Sequence, residues 1–321
     1  MKKRLLSLTL AAVMVAGALT GCGGSKKESW KVTCPWAPSG VAAMVSQKAA
    51  EKSPSYSEKI TLVAEAIKGD AATVNTWVAD NKANSKELVF AGEGLFSITS
   101  ILDPAKMQFD YSNFAYVENL YSSIFVLSAD KKLGIDNLEA LETFAAGGEE
   151  ISVAVNGSTS SEAFLAAALF GSMGAGDRVK LVAYTSAAEA AQAVAKGETK
   201  FAVSHQSQIL ETYQQGGVSI VCAFDEKPLE HGPFAGVEGV GEHGYPYFRN
   251  RCFVMACAGT DAEKVAELKK LYDDILADEE VVSWLEETML LEVDTMNEDA
   301  VKEHIENVKQ IVNEYKDIVT G

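Results

Sequence analysis

Short apolar runs alternate with alanine-rich segments of helical length through most of this chain, and that alternation limits the fold more than any other feature. Val32 to Cys34, Ile60 to Val63, Leu88 to Ala91, Ile151 to Val155, Val179 to Ala183, Phe201 to Val203 and Val218 to Ala223 read as strands. Between them, Val41 to Lys52, Asp70 to Lys82, Ser160 to Met173, Ser186 to Lys196 and Gln206 to Gln215 carry a helical period. A parallel partner strand can be reached only by a crossover, so the rhythm predicts an α/β fold with mostly parallel sheets. Thr159-x-x-Glu162 and Ser186-x-x-Glu189 read as capping boxes, in which hydroxyl and carboxylate satisfy open amides of a first helical turn.

The rhythm breaks twice, at Ser122 to Ser128 and at Arg251 to Ala256, each a long strand pattern bordering the block 130–250. Two such crossings predict one lobe inserted into another: residues 30–121 and 257–321 form the first lobe, and 122–256 form the second, with crossover strands at both ends. A ligand would sit in the cleft between them. Arg249 and Arg251, beside the second crossing, read as hinge salt bridges or as contacts to the far end of a ligand.

Two strand-to-helix loops carry the chemistry. In Cys34-Pro35-Trp36-Ala37-Pro38-Ser39-Gly40 the prolines stiffen the loop and Gly40 lets a ligand approach the backbone. Asn156-Gly157-Ser158-Thr159-Ser160-Ser161 has the same placement. A helix start offers unpaired N–H groups and about half a positive charge, so each loop can hold an anion without a basic side chain, or can serve as a plain capped turn.

A net charge of −17 disfavours a nucleic-acid partner. The acidic residues concentrate after Asp261, as in Glu279-Glu280, Glu286-Glu287 and Glu303 to Glu306, and read as solvated helix faces. Cys34, Cys222, Cys252 and Cys257 lack paired metal spacing and read as buried small apolar groups. Cys252 and Cys257 lie five apart on one strand and so face opposite sides.

Lys2, Lys3 and Arg4 followed by the apolar run Leu5 to Leu19 form the start of a secretion signal, too short to span a bilayer. Leu19-Thr20-Gly21-Cys22 resembles the lipobox of bacterial lipoproteins, in which the chain is cut before the cysteine and the thiol is acylated. The resemblance implies a signal peptide over 1–21, a lipid anchor on Cys22 and a small, polar tether over 22–29. Loss of the three basic residues of the signal takes the net charge from −17 to −20.

The loop Pro35 to Gly40 resembles the signature of the substrate-binding proteins of tripartite tricarboxylate transporters, the Bug receptors. Glu65 to Ala71 is similar to that family's second loop, with Gly69 by the ligand; Phe109 to Phe114 followed by Ile124 to Leu127 resembles its first crossing. Asn156 to Ser161, Val182 to Ser186, Gln214 to Gly217 and Tyr245 to Arg251 match later landmarks in order, over nearly all of residues 30–290. The resemblance implies a two-lobed, periplasmic-binding-protein-like fold of type II. It also implies a small carboxylate gripped by backbone amides of both lobes, without catalysis or a cofactor. Carried onto this chain, it assigns Ser39, Gly40, Ser158, Thr159, Ser160 and the hydroxyl of Tyr184 to the carboxylate. Trp36 becomes an apolar wall, or else core packing beneath the loop.

Ser39 stands where the family has another glycine, Ala43 where it has an acidic residue, and Thr185-Ser186 where it has Lys-Gly. If Gly40 opens the helix, Ala43 falls in its first turn and is expected to leave a small apolar surface by the ligand. These departures remove any carry-over of a particular ligand.

An enzyme reading finds little support in the residues. His205, His231, His243 and His304 show no metal spacing, and His304 lies in an acidic helix that reads as solvent-facing. Ser204-His205 lacks a nucleophile elbow, which leaves His205 a cleft-lining or packing role. The expectation is a monomeric extracytoplasmic lipoprotein that captures a small organic anion and delivers it to membrane permease subunits. The alternatives are the binding component of an ATP-driven importer, a sensor, or a surface hydrolase.

Overall fold

Strand and helix alternate from the first element onward in the computed structural model, which describes residues 27–320. β1 (Glu28–Cys34), α1 (Val41–Tyr56), β2 (Ile60–Ala66), α2 (Asp70–Asp80) and β3 (Glu87–Gly92) make two crossovers, and β1 pairs in parallel with both β2 and β3. A π turn over Leu95–Thr99 runs into one helical turn, α3 (Ser100–Leu102), ahead of β4 (Phe114–Ser123). The next elements are β5 (Phe125–Asp130), α4 (Leu138–Ala146), β6 (Ile151–Asn156), α5 (Ser161–Ser172) and β7 (Val179–Tyr184). Then come α6 (Ala187–Lys196), β8 (Phe201–His205), α7 (Gln206–Gln214) and β9 (Val218–Ala223). A long loop leads to β10 (Asn250–Cys257), α8 (Ala262–Leu276), α9 (Glu279–Ser283), β11 (Glu292–Val293) and α10 (Glu298–Thr320).

The strands form a six-stranded sheet in the order β11-β4-β10-β3-β1-β2 and a five-stranded sheet in the order β7-β6-β8-β5-β9. Both are mixed: β10 runs antiparallel to β3 and β4, and β5 runs antiparallel to β8 and β9. Both strands that sequence analysis treats as crossovers therefore contribute to the first sheet, β4 through Ser123 and β10 from Asn250. The chain passes between sheets at Ile124 and again within 224–249, and Asn250 pairs with Ser123 where the two crossings meet.

Period-2 alternation divides each sheet between two cores. In β3, Leu88 and Phe90 face the core shared with α1 and α8, whereas Val89 and Ala91 face the one shared with α2 and α10. Cys252 and Cys257 likewise fall on opposite faces of β10, and all four described cysteines are free and buried. Burial pushes the thiols of Cys34, Cys222, Cys252 and Cys257 upward, so they remain protonated and inert at neutral pH.

α10 belongs to both halves. Its apolar stripe follows helical spacing: Val301 and Ile305 enter a first-sheet core, while Val308 and Val312 enter the main core of the second sheet. Each such burial stabilises by about 1.5–3 kcal/mol, enough to hold a helix whose outer face carries exposed Glu303 and Glu306. The acidic pairs Glu279-Glu280 and Glu286-Glu287 are exposed as well. His304 departs from that pattern: its side chain is only 12% exposed and its Nε2 pairs with the buried Glu93. The expected solvent-facing histidine is an inward one, because it sits beside Ile305 on the face that α10 turns to β3 and β10.

Arg249 and Arg251 are both engaged in ion pairs. Arg249 holds Asp225 through Nη2 at 2.8 Å and Nε at 3.2 Å and also pairs with Glu292; Arg251 holds Asp294 at 2.7 Å. These bonds tie the second crossing and the start of β10 to β11 and to the segment after it.

Candidate functional site

A cleft of about 420 Å³ opens between the two sheets, and its walls are built from the places where strands turn into helices. α1, α2, α5, α6 and α7 all begin at residues that line it, through Val41, Gly69, Ser161, Ala187 and His205. Each start contributes open amides and about half a positive charge. Among the described residues the charged side chains of the lining are Lys68 and Glu162, so the potential that favours an anion comes mainly from backbone.

The five starts differ in what closes them. Ser160 caps α5 by accepting from Ala163 N at 3.1 Å, and Ser186 caps α6 by accepting from Glu189 N at 3.2 Å. Gly40, Gly69 and His205, which precede α1, α2 and α7, supply no side-chain cap. The first-lobe wall therefore presents two uncapped helix starts. A Cβ at 69 would lie 2.3 Å from Thr73 Oγ1 and force that side chain to turn, and a Cβ at 92 would press on the Trp36 ring at 3.2 Å.

The capping register differs from the sequence expectation by one residue at α5. Ser160, not Thr159, caps the helix, which frees Thr159 to line the cleft beside the buried Glu162. At α6 the cap is Ser186 as expected, and Glu189 reaches back chiefly to Thr185, to its N at 3.1 Å and its Oγ1 at 2.5 Å, with the Ser186 amide a weaker partner. The Thr185 hydrogen bonds hold the Glu189 carboxyl below its usual range.

Of the residues expected to bind, Trp36, Ser39, Gly40, Gly69, Thr159, Ser160 and Tyr184 come together around this cleft. Ser158 does not: it is exposed at the tip of its loop and lies outside the lining. Ser160 has its hydroxyl committed to the cap and to Gly157 O at 3.1 Å. The Tyr184 hydroxyl, expected to donate to a carboxylate of the ligand, already donates to Glu198 Oε2 at 3.4 Å. Trp36 meets Phe90 edge-on at 6.5 Å and also lines the cleft above Gly92.

Ala43 is a correction. It lies in the first turn of α1, but it is 1% exposed within the core formed with β1, β10 and α8, while Val41 and Ala42 line the cleft. Its burial follows from the packing of α1 against β1, β10 and α8, which covers position 43. No apolar surface for the ligand arises at position 43.

The deep wall was missed by sequence reasoning. Tyr121, Phe125, Asn250 and Cys252 reach it from the two crossings, and Gln208 from the first turn of α7. Its signal was available for His205, since Ser204-His205 has the same strand-to-helix placement as the two loops singled out. His205 pairs across the ladder with Phe125, and their ring centroids are 4.5 Å apart. Burial pushes its imidazole down to about 4, so the ring is neutral at physiological pH. Among the described residues no group of three or more His, Cys, Asp or Glu is placed to hold a metal, and no helix is long and apolar enough to cross a membrane.

No family model and no curated protein matches the chain. Solved structures do. An R. palustris protein with adipate superposes with a TM-score of 0.80 at 15% identity, covering 91% of this chain and 97% of that one. MatC from Rhodopseudomonas palustris with bound malate gives 0.75 at 18% identity, over 91% and 98%. The periplasmic binding protein BugD gives 0.74 at 18% identity, over 89% and 97%. At these identities the likeness shows the fold: a two-lobed α/β architecture of the type II periplasmic-binding-protein kind, as found in solute-binding proteins of the TctC and BugD type.

Proposed function

We propose that this chain is an extracytoplasmic solute-binding protein of the tripartite tricarboxylate transporter type, which captures a small carboxylate and delivers it to membrane permease subunits. The observation that carries this reading is the convergence of five helix starts on one interlobe cleft, two uncapped ones on the first-lobe wall, with Lys68 as the basic side chain of the lining. That arrangement stabilises a negative charge without a fixed cationic partner. Malate and adipate are bound by proteins of the same fold, which supports the ligand class. Ser39, Gly40 and the first amides of α1 hold the carboxylate from one lobe, and Thr159 with Asn156 holds it from the other. Trp36 covers its hydrocarbon part. Cys22, outside the described residues, carries the lipid that keeps the protein at the membrane face. The reading assigns no chemical step to the cleft.

Ala42→Asp tests it. Ala42 lines the cleft in the first turn of α1, where an aspartate suits the helix dipole but stands against a bound carboxylate. In calorimetry against a panel of small carboxylates that includes malate and adipate, the variant is expected to lose about 1–3 kcal/mol of affinity for whichever acid binds the parent. Ala42 is only 6% exposed and also packs in the core beside α1, so the variant melts lower without ligand as well, and affinity is compared at a temperature where both proteins are folded. Equal or tighter binding by Ala42→Asp would place the anion elsewhere.

A further inference from the structure

Where β8 turns into α7, four side-chain atoms are buried without a hydrogen-bond partner: Ser204 Oγ, His205 Nδ1, Ser207 Oγ and Gln208 Oε1. Among the described residues only seven other buried side-chain atoms share that condition, spread over the rest of the fold. Folded proteins pair nearly all their buried polar atoms, so such a concentration within five residues marks a place built for something else. Two of the four residues, His205 and Gln208, line the cleft. His205 is the extended residue that precedes α7 and Gln208 stands in the first turn of the helix.

The chemistry of this wall is neutral. His205 is fixed by its ladder pairing with Phe125 and by the ring contact between them, at the deep end of the cleft where β4 passes into β5. Burial is the cause that lowers its pKa, and the positive end of α7 acts in the same direction. A neutral imidazole keeps one N–H donor and one acceptor nitrogen, and the Gln208 amide likewise offers both kinds of group. Positive charge lies elsewhere: Lys68 stands on the first-lobe loop and acts on Glu189 at the start of α6, while Arg249 and Arg251 are bound to Asp225, Glu292 and Asp294 outside the lining. The other residue of the lining with an ionisable acid is Glu162, buried at the start of α5.

We propose that His205 and Gln208 form a neutral hydrogen-bonding subsite for the end of the ligand remote from its carboxylate, selecting a hydroxyl, keto or carboxamide group over a second carboxylate. The inference rests on the reading of the cleft as a carboxylate site and names the ligand class more narrowly: an anion with one carboxylate and a polar, uncharged far end. Such an end satisfies atoms that are otherwise buried and unpaired. A second carboxylate would meet no cation there and would have to pull a proton onto His205 to be held.

Calorimetry with a chain-length-matched set tests this: hexanoate, omega-hydroxyhexanoate, adipic acid monoamide and adipate, on the parent, His205→Phe and Gln208→Leu. The parent is expected to bind the hydroxy acid and the monoamide at least about ten-fold tighter than adipate. Their affinities should be level between about pH 5.5 and 7.5, because the imidazole is neutral throughout. In each variant the affinities for the hydroxy acid and the monoamide should fall to that for hexanoate. Adipate as the tightest ligand, with affinity rising as pH falls, would overturn the neutral subsite and assign a protonated His205 to a second carboxylate. Variants that keep the parent's order of preference would overturn the assignment to these two residues while leaving the carboxylate site standing. Failure of the parent to bind any acid, here and in the wider panel, would overturn both.

Discussion

Replacing His304 by leucine is expected to cost about 3–5 kcal/mol of folding stability, although the residue lies on a helix whose neighbouring side chains are exposed. Glu93 has no exposure to solvent and sits between Gly92 and Gly94, both of which line the cleft, with its own carboxylate on the opposite side. There it meets His304 Nε2, and Arg251 Nη1 approaches His304 Nδ1 at 3.1 Å. The same Nη1 also lies 3.3 Å from Nε2, so the guanidinium does not single out one ring nitrogen, whereas Nε2, facing a carboxylate oxygen, donates to Glu93. Leucine at 304 leaves Glu93 buried with its Oε1 already unpaired, and Arg251 retained by Asp294. Removing both partners is a different matter, since an apolar pair of similar volume is often close to neutral. The double variant Glu93→Leu/His304→Leu is therefore expected to recover most of the loss. Urea denaturation of the two single variants and the double gives the coupling directly. A His304→Leu midpoint within about 0.5 kcal/mol of the parent would return the residue to the solvated surface.

Ala43→Asp should be nearly as damaging, and in the absence of any ligand. The side chain is 1% exposed and packs in the core that α1 shares with Val32, Val254 and Leu271. A carboxylate there costs several kcal/mol in desolvation, and the favourable field of the helix start returns only about 0.3–1 kcal/mol. Thermal melting of ligand-free protein separates this from an effect on binding: the melting temperature falls for both variants, and falls further for Ala43→Asp than for Ala42→Asp, whose buried side chain also borders the cleft. A normal melt with weakened binding at position 43 would restore the loop register in which Ala43 meets the ligand.

The contrast between positions 42 and 43 shows what sequence can and cannot convey. Strand and helix positions were legible because period and capping act within a few residues. The runs from Ile60 to Val63 and Val218 to Ala223 appear as strands, and helices open after Gly40 and Ser186. The first break in that rhythm falls where β4 gives way to β5, whereas the second, Arg251 to Ala256, lies wholly within β10 of the first sheet; Cys252 and Cys257 fell on opposite faces as a period of two requires. What failed depended on partners distant in sequence. Whether Ala43 meets ligand or core is decided by α8, more than two hundred residues away. Whether His304 meets water is decided by Glu93, and nothing in an acidic helix announces a carboxylate on another strand. The shift from Thr159 to Ser160 at the start of α5 has a local cause, since two adjacent hydroxyl residues offer competing caps. The bridging role of α10 is visible only once Val301 and Val312 are seen to enter different cores.

Open helix-start amides, not basic side chains, are proposed to hold the ligand's carboxylate. Backbone amide resonances report this residue by residue. On saturation with an acid whose binding calorimetry has established, the amide protons of Val41 and Ala42 in α1, and those of Thr159 and Ser161 across the cleft, are predicted to move downfield, while those in α8 stay in place. Saturation by such an acid with the Val41 and Ala42 amides unmoved would contradict it.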